Sequence, residues 1–392
     1  MLAISSIGLS RHLELDHPDL ALKFFPLNVE AFLNGASRRF AQGASAGELG
    51  DIAHRATRLL SLHPGDARLY SVIGEVERRR GASDRAFAAF GHALALARTE
   101  VHALEWRLYR AVLTGNAHET LQRIDALFRR WPDRIGALAP LIAQVFAEPE
   151  PYEMLVRRIA AQPPWRTTLI SRLAGSEETL GFSAQLLQDL AAEMPTLKVG
   201  EISNVLNGLI NVDRYELAYR TFLLTLSPVQ QEQAGFVYNG RFRLPPTGRP
   251  FDWQVRSHPG IGFSYPAADA GGKDAGLRLE FQQAPVRDIR VRQYLHLPAG
   301  RYSLRLRVSA AAAILPKGLF WNVRCADSGT LFTQVAMKNG TYRDAELDAD
   351  LTVPDACPLQ LLHLSTNAIA ENWNDRYGGV VTFDSVMIVE SS

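Results

Sequence analysis

The chain has 392 residues, 47% of them hydrophobic and 21% charged, with a formal net charge of +1. That length points to two domains or a repeat array rather than one core, and the composition excludes disordered and fibrous classes. The near-neutral charge gives no global reason to expect nucleic acid or an anionic membrane surface, and no apolar run reaches the roughly 18 residues of a spanning helix. At the start, "MLAISSIGLSRHLELD" is mildly apolar but lacks a basic leader and a cleavage site. Residues 1–15 are therefore expected to be an N-terminal extension that opens the first helix, the alternative being the remnant of an export signal or anchor. Any membrane association then passes through a partner or a missing anchor.

Residues 16–234 are rich in Ala, Leu and Arg at helical spacing. Within "HPGDARLYSVIGEVERRRGASDRAFAAFGHALALA", Tyr70, Ile73, Gly74, Ala86, Phe90 and Ala93 alternate small and large side chains. Small residues let two antiparallel helices approach, and larger ones fill the groove between hairpins. This pattern resembles the tetratricopeptide repeat, with one repeat at residues 67–100. Pro64 and Pro132 lie two 34-residue periods apart, with Arg98 in place of a proline between them. An earlier hairpin is expected near "DHPDLALKFFPLNVEAFLNGASRRF", although its Pro26 is out of phase. Past 135 the helices lose the consensus and are expected to be divergent hairpins of the same α-solenoid. Each hairpin of such an array buries its apolar face only against its neighbours. The array is either a spacer or a concave surface for a protein partner.

At 236 the period changes. "GLRLEF", "DIRVRQYLHL", "RYSLRLRVSA", "LFWNVRC", "DAELDADLTV", "LQLLHLS" and "VVTFDSVMIV" alternate apolar and polar residues between Gly, Pro and Asn turns. Seven or more strands over residues 235–392 predict an antiparallel β-sandwich or jelly roll. Its core is expected from Leu279, Phe281, Val291, Leu295, Leu304, Leu306, Val308, Trp321, Val323, Leu362 and Val386, with Trp253 in the core or at the domain junction. The fold class is thus multidomain: a tetratricopeptide-like α-solenoid followed by a sandwich.

"NGRF" at 239–242, "PFDW" at 250–253, "LPAGRYSLRLRVSA" and "VTFDSVMI" together resemble family 4/9 carbohydrate-binding modules. The resemblance implies that "NGRF" forms the first strand. Many such modules carry a Glu directly after this motif that helps hold a calcium ion, and here the position is Arg243. Asp384 matches the family's closing-strand carboxylate. An Arg243–Asp384 ion pair would fill the same space, so no metal is expected.

Alternation places Arg290, Arg292, Tyr294 and His296 on an outer face, along with Arg305, Arg307, Phe320, Asn322 and Arg324. Residues 277–307 hold seven Arg and no Lys against one Glu and one Asp. That excess suggests a basic groove for an acidic polysaccharide, with Tyr294 or Phe320 as a stacking platform. The alternative is cross-strand neutralisation by Asp344, Glu346, Asp348 and Asp350. The loop "NAIAENWNDRYGG" offers Asn372, Trp373, Asp375 and Tyr377 for sugar recognition, since a ring covers a pyranose face while amides and carboxylates take its hydroxyls; otherwise Trp373 plugs the sandwich. Cys325 and Cys357 are the only cysteines. They end neighbouring strands and form either a disulfide, implying an oxidising compartment such as the periplasm or envelope, or two reduced thiols in a cytoplasmic protein.

No zinc-protease, P-loop, dinucleotide or nucleophile-elbow pattern occurs, so neither enzymatic activity nor a cofactor is expected. Tetratricopeptide repeats joined to a lectin-like module resemble accessory proteins of bacterial exopolysaccharide synthesis or export. The expectation is a non-catalytic scaffold of that kind. The alternatives are an adaptor whose sandwich binds no sugar and a carbohydrate-active enzyme with an unrecognised site.

Overall fold

The computed structural model describes residues 2–194, 197–265, 276–368 and 374–391, with side chains from Ser6 onward. The chain forms two compact units, Met1–Trp165 and Arg166–Ser392.

The first unit is helical: α1 (Leu2–Leu13), α2 (Pro18–Phe24), α3 (Val29–Ala41), α4 (Ala46–Leu60), α5 (Ala67–Arg79), α6 (Ser83–Leu96), α7 (Val101–Leu113), α8 (Ala117–Arg130), α9 (Ile135–Val145) and α10 (Pro149–Ala160). Ala67, Val101 and Ile135 open α5, α7 and α9, so these hairpins begin 34 residues apart. Side chains of Asn28, Ser45, Asp66, Glu100 and Asn116 accept from free backbone N–H groups and start their helices. Inside three hairpins the turn contains a glycine at positive φ: Gly43, Gly81 and Gly115. Ala86 and Ala93 are fully buried, and a Cβ on Gly74 would meet the Phe90 ring at 2.9 Å. The small residues of the repeat are therefore points of helix contact.

The second unit opens with α11 (Arg166–Ala174), α12 (Glu177–Glu193), α13 (Val199–Asn211), α14 (Tyr215–Leu224) and the short α15 (Pro228–Gln231). Ten strands follow: β1 (Gln254–Val255), β2 (Ile261–Ser264), β3 (Leu277–Pro285), β4 (Val291–Leu295), β5 (Gly300–Ile314), β6 (Phe320–Cys325), β7 (Leu331–Ala336), β8 (Gly340–Val353), β9 (Gln360–Ser365) and β10 (Arg376–Glu390). They form two five-stranded antiparallel sheets, β1-β4-β9-β6-β7 and β2-β3-β10-β5-β8. All eleven core residues expected from the sequence lie buried in one hydrophobic core, and Trp253 is there with them.

The first strand of the resemblance is absent. Residues 239–242 form a turn, with Asn239 and Phe242 at positive φ. This segment meets β10 through the Val386 N–H, which donates to the Gly240 carbonyl at 2.8 Å. A Cβ on Gly240 would come within 2.4 Å of the Val386 carbonyl oxygen, which explains why glycine stands there. Phe242 stacks on Trp253 with ring centres 4.9 Å apart, and the Trp253 indole N–H donates to the Asn239 carbonyl. The motif is a plug on the core rather than a rung of a sheet.

Helix α14 packs on the sandwich. Phe222 meets Tyr238 edge-on at 5.1 Å, and Tyr219 lies 5.3 Å from Phe251 and 5.5 Å from His296. The Tyr215 hydroxyl reaches Asp327 at 3.2 Å.

Candidate functional site

The outer face of β1-β4-β9-β6-β7 gathers five of the expected residues. Because Val291, Leu295, Trp321, Val323, Leu362 and Leu364 point into the core, alternation sends Arg292, Tyr294, Phe320, Asn322 and Arg324 outward, with His363 among them. Register aligns Gln254, Arg292, His363, Asn322 and Gln334 in one row across all five strands. The row is hydrogen-bonded at both ends. Arg292 Nε donates to Gln254 Oε1 at 2.9 Å, and Gln334 Nε2 donates to Asn322 Oδ1 at 2.8 Å. The Asn322 amide also donates to Ser365 Oγ at 2.7 Å. Asn322 is only 4% exposed. It faces outward as expected, but its amide is occupied, so it orients the row instead of offering free bonds.

Two half-buried aromatic residues flank the row. Tyr294 sits opposite Leu361 on β9. Phe320 sits at the far end of β6, its ring against Gly318, where a Cβ would intrude to 2.3 Å. His363 is held down to about 4, first by burial and then by the positive charges of Arg324 and Arg292. It is a neutral base at pH 7, able to accept or donate one hydrogen bond at each ring nitrogen.

The other expected residues go elsewhere. Arg290 is exposed but ion-paired with Asp288 at 2.7 Å. Arg305 and Arg307 belong to the other sheet, opposite Asp348 and Glu346 of β8, and Arg307 also lies 3.8 Å from Asp344. The sequence excess of arginine is thus split between two faces, and on one of them carboxylates of β8 stand opposite it in register. Arg243 and Asp384 both line a groove of about 830 Å³ on that second face. Tyr377 is buried, and its hydroxyl donates to the Gly318 carbonyl at 2.9 Å. Asp375 pairs with Lys317 at 3.4 Å. These two residues hold the turn beneath Phe320, because the alternation of β10 sends the Tyr377 ring into the core. Asn372 and Trp373 lie outside the described residues. Cys325 and Cys357 form a disulfide, with Cα atoms 5.8 Å apart.

His363 and Gln334 were not singled out in the sequence. The signal for His363 was there, since Leu362 and Leu364 facing inward force it outward. Strand β7 gives little such signal, because among its residues only Val335 is buried.

The first unit has its own concavity of about 1330 Å³, lined by Phe40, Val72, Trp106, Tyr109 and Trp131 together with charged side chains. Tyr109 is 58% exposed there. Among the described residues no cluster of three His, Cys, Asp or Glu could hold a metal ion, and no helix is long and apolar enough to cross a membrane.

No protein-family model matches the chain, and no curated protein does. Among solved structures, one titled "CBM4 structure and function" is similar at 15% identity and TM-score 0.31, covering 40% of this chain and 99% of that one. A tetratricopeptide repeat protein from Parabacteroides merdae is similar at 14% identity and TM-score 0.29, covering 56% and 91%. A carbohydrate-binding module of Cellvibrio mixtus lichenase 5A, in complex with cellotriose, is similar at 13% identity and TM-score 0.23, covering 35% and 92%. At such scores these likenesses add no weight to the fold, which element order and strand register establish by themselves.

Proposed function

We propose that this chain is a non-catalytic accessory protein of bacterial exopolysaccharide synthesis or export, binding a glycan on the outer face of β1-β4-β9-β6-β7. One observation carries the reading: Tyr294 and Phe320, both partly exposed, stand on either side of a hydrogen-bonded polar row on one sheet face. Rings supply apolar surface for a sugar face, and the row supplies fixed donors and acceptors for its hydroxyls. The five strands of that sheet contain no Asp or Glu. Replacing both Tyr294 and Phe320 by Ala should abolish retention on a glycan array while leaving the melting temperature within a few degrees. Retention that survives the double change would move the site off this face.

The disulfide favours an oxidising location, the periplasm or the envelope. Protein recovered from its natural source without reductant should then show no alkylatable thiol, and two reactive thiols would place it in the cytoplasm.

A second reading, an adaptor that binds no sugar, is favoured by the concavity of the first unit, where Tyr109 and Trp106 present apolar surface beside paired charges. A photo-crosslinking residue at position 109 should trap a specific protein in the producing cell. An absence of adducts there would leave the sandwich as the working part.

A further inference from the structure

We propose that the glycan held on the outer face of β1-β4-β9-β6-β7 is acidic and that its carboxylates are bound between Arg292 and Arg324. This rests on the glycan reading above and adds the charge of the ligand.

The two sheets differ in how they treat their arginines. Every Asp and Glu of the strands lies in β2-β3-β10-β5-β8, where β8 places carboxylates opposite Arg305 and Arg307. The strands of the other sheet carry Arg292, Arg324 and His363 and no carboxylate. Among the described residues, the Arg324 side chain makes no hydrogen bond or ion pair, and the residue is half-buried. Arg292 engages only its Nε, with Gln254, which leaves its terminal N–H groups open. Guanidinium N–H groups without a protein acceptor are open to a carboxylate presented by a ligand, which they can hold through paired N–H···O bonds.

Strands β4 and β6 flank β9, so the two guanidiniums stand on strands about 10 Å apart. Between them lies His363, whose low basicity reflects burial and then the uncompensated charge of Arg324 and Arg292. Asn322, the other polar side chain paired with His363, cannot offset that charge because it is neutral. Among the described residues the strands of this face therefore carry positive charge and no carboxylate, with Tyr294 and Phe320 on either side of the polar row.

The test uses the full chain and three polymers: polygalacturonate, alginate, and polygalacturonate whose carboxyl groups have been reduced to alcohols. Affinity electrophoresis and calorimetry are expected to show binding of at least one uronate polymer, weakening as salt rises. The carboxyl-reduced polymer should bind about tenfold or more weakly, and Arg324→Gln should lose a comparable factor on the uronate. Arg305→Gln, on the opposite sheet, should bind like the parent. The His363 ring, followed by NMR titration, should become more basic when the uronate is bound.

Equal affinity for acidic and carboxyl-reduced polymers, lost in Tyr294→Ala, would overturn the charge assignment and keep the glycan site. Loss in Arg305→Gln as large as in Arg324→Gln would also overturn it, as diffuse attraction. Binding of no polymer at all would remove both readings.

Discussion

At the scale of single residues, function and packing are separated by what each side chain touches. Gly74 illustrates packing. Its Cα faces the Phe90 ring so closely that Gly74→Val should cost roughly 1–3 kcal/mol, read as a lower melting temperature of the helical unit. An unchanged melting temperature would contradict the register of this repeat. His363 illustrates the site. Its folded basicity, about 4, lies below the ordinary 6.5, so the unfolded chain binds the proton first as pH falls. Stability without ligand should therefore be complete above pH 6.5 and decline between 6.5 and 4. His363→Gln should flatten that limb in a series of urea midpoints, and an identical slope would show that other groups govern it. The eleven core positions were legible because alternation alone decides their side of the sheet, whereas Trp253 lies outside the strands, where alternation does not choose between core and domain junction. The occupied amide of Asn322 and the buried hydroxyl of Tyr377 were not, because their partners Ser365, Gln334 and Gly318 are distant in sequence.

At the scale of elements, strand pairing decides what a run of charge means. The arginines of residues 277–307 suggest one basic groove only while the neighbours of their strands are unknown. Register pairs Arg305 with Asp348 on an exposed face, a contact worth about 0.2–1 kcal/mol. Arg305→Asp should lower stability by about that amount, and adding Asp348→Arg should restore it. Failure of the double variant to recover would refute the β5–β8 register. Seven strands announced themselves through alternation. Three did not: β1 and β2 are two and four residues long, and β7 buries only one side chain outright. The "NGRF" motif was legible as a feature of the fold, but the resemblance makes it a strand, although Asn-Gly is a turn signal; positive φ at Phe242 has no signature in residue type.

At the scale of the whole molecule, the last helices share a compact unit with the sandwich. Phe222 and Tyr219 cover Tyr238 and Phe251, so a fragment that starts at 235 uncovers aromatic surface. Residues 166–392 should unfold in one transition, whereas residues 235–392 should melt lower and bind a hydrophobic dye. Matching curves for the two fragments would mean that the helices add nothing to the sandwich. The sequence marks a change of period at 236, but the first strand begins only at Gln254, after the turns of the "NGRF" segment. The compact units divide after Trp165, among the helices, where the sequence shows no change of period.

Strand β8 is fourteen residues long and lies at the border of its sheet, with one side of its backbone unpaired. A ribbon of that length is a template on which a second molecule can polymerise. Asp344, Glu346, Asp348 and Asp350 oppose this, because antiparallel docking of two copies sets carboxylate rows against each other. Asp344 adds a local twist, its backbone lying at φ 48° beside a shift in register. The acidic row is therefore expected to keep the protein dispersed as well as to face the arginines of β5. Changing Glu346, Asp348 and Asp350 together to Thr should turn a clear solution turbid at concentrations where the parent scatters no light. A triple variant that stays clear would mean that this border is shielded by something other than charge.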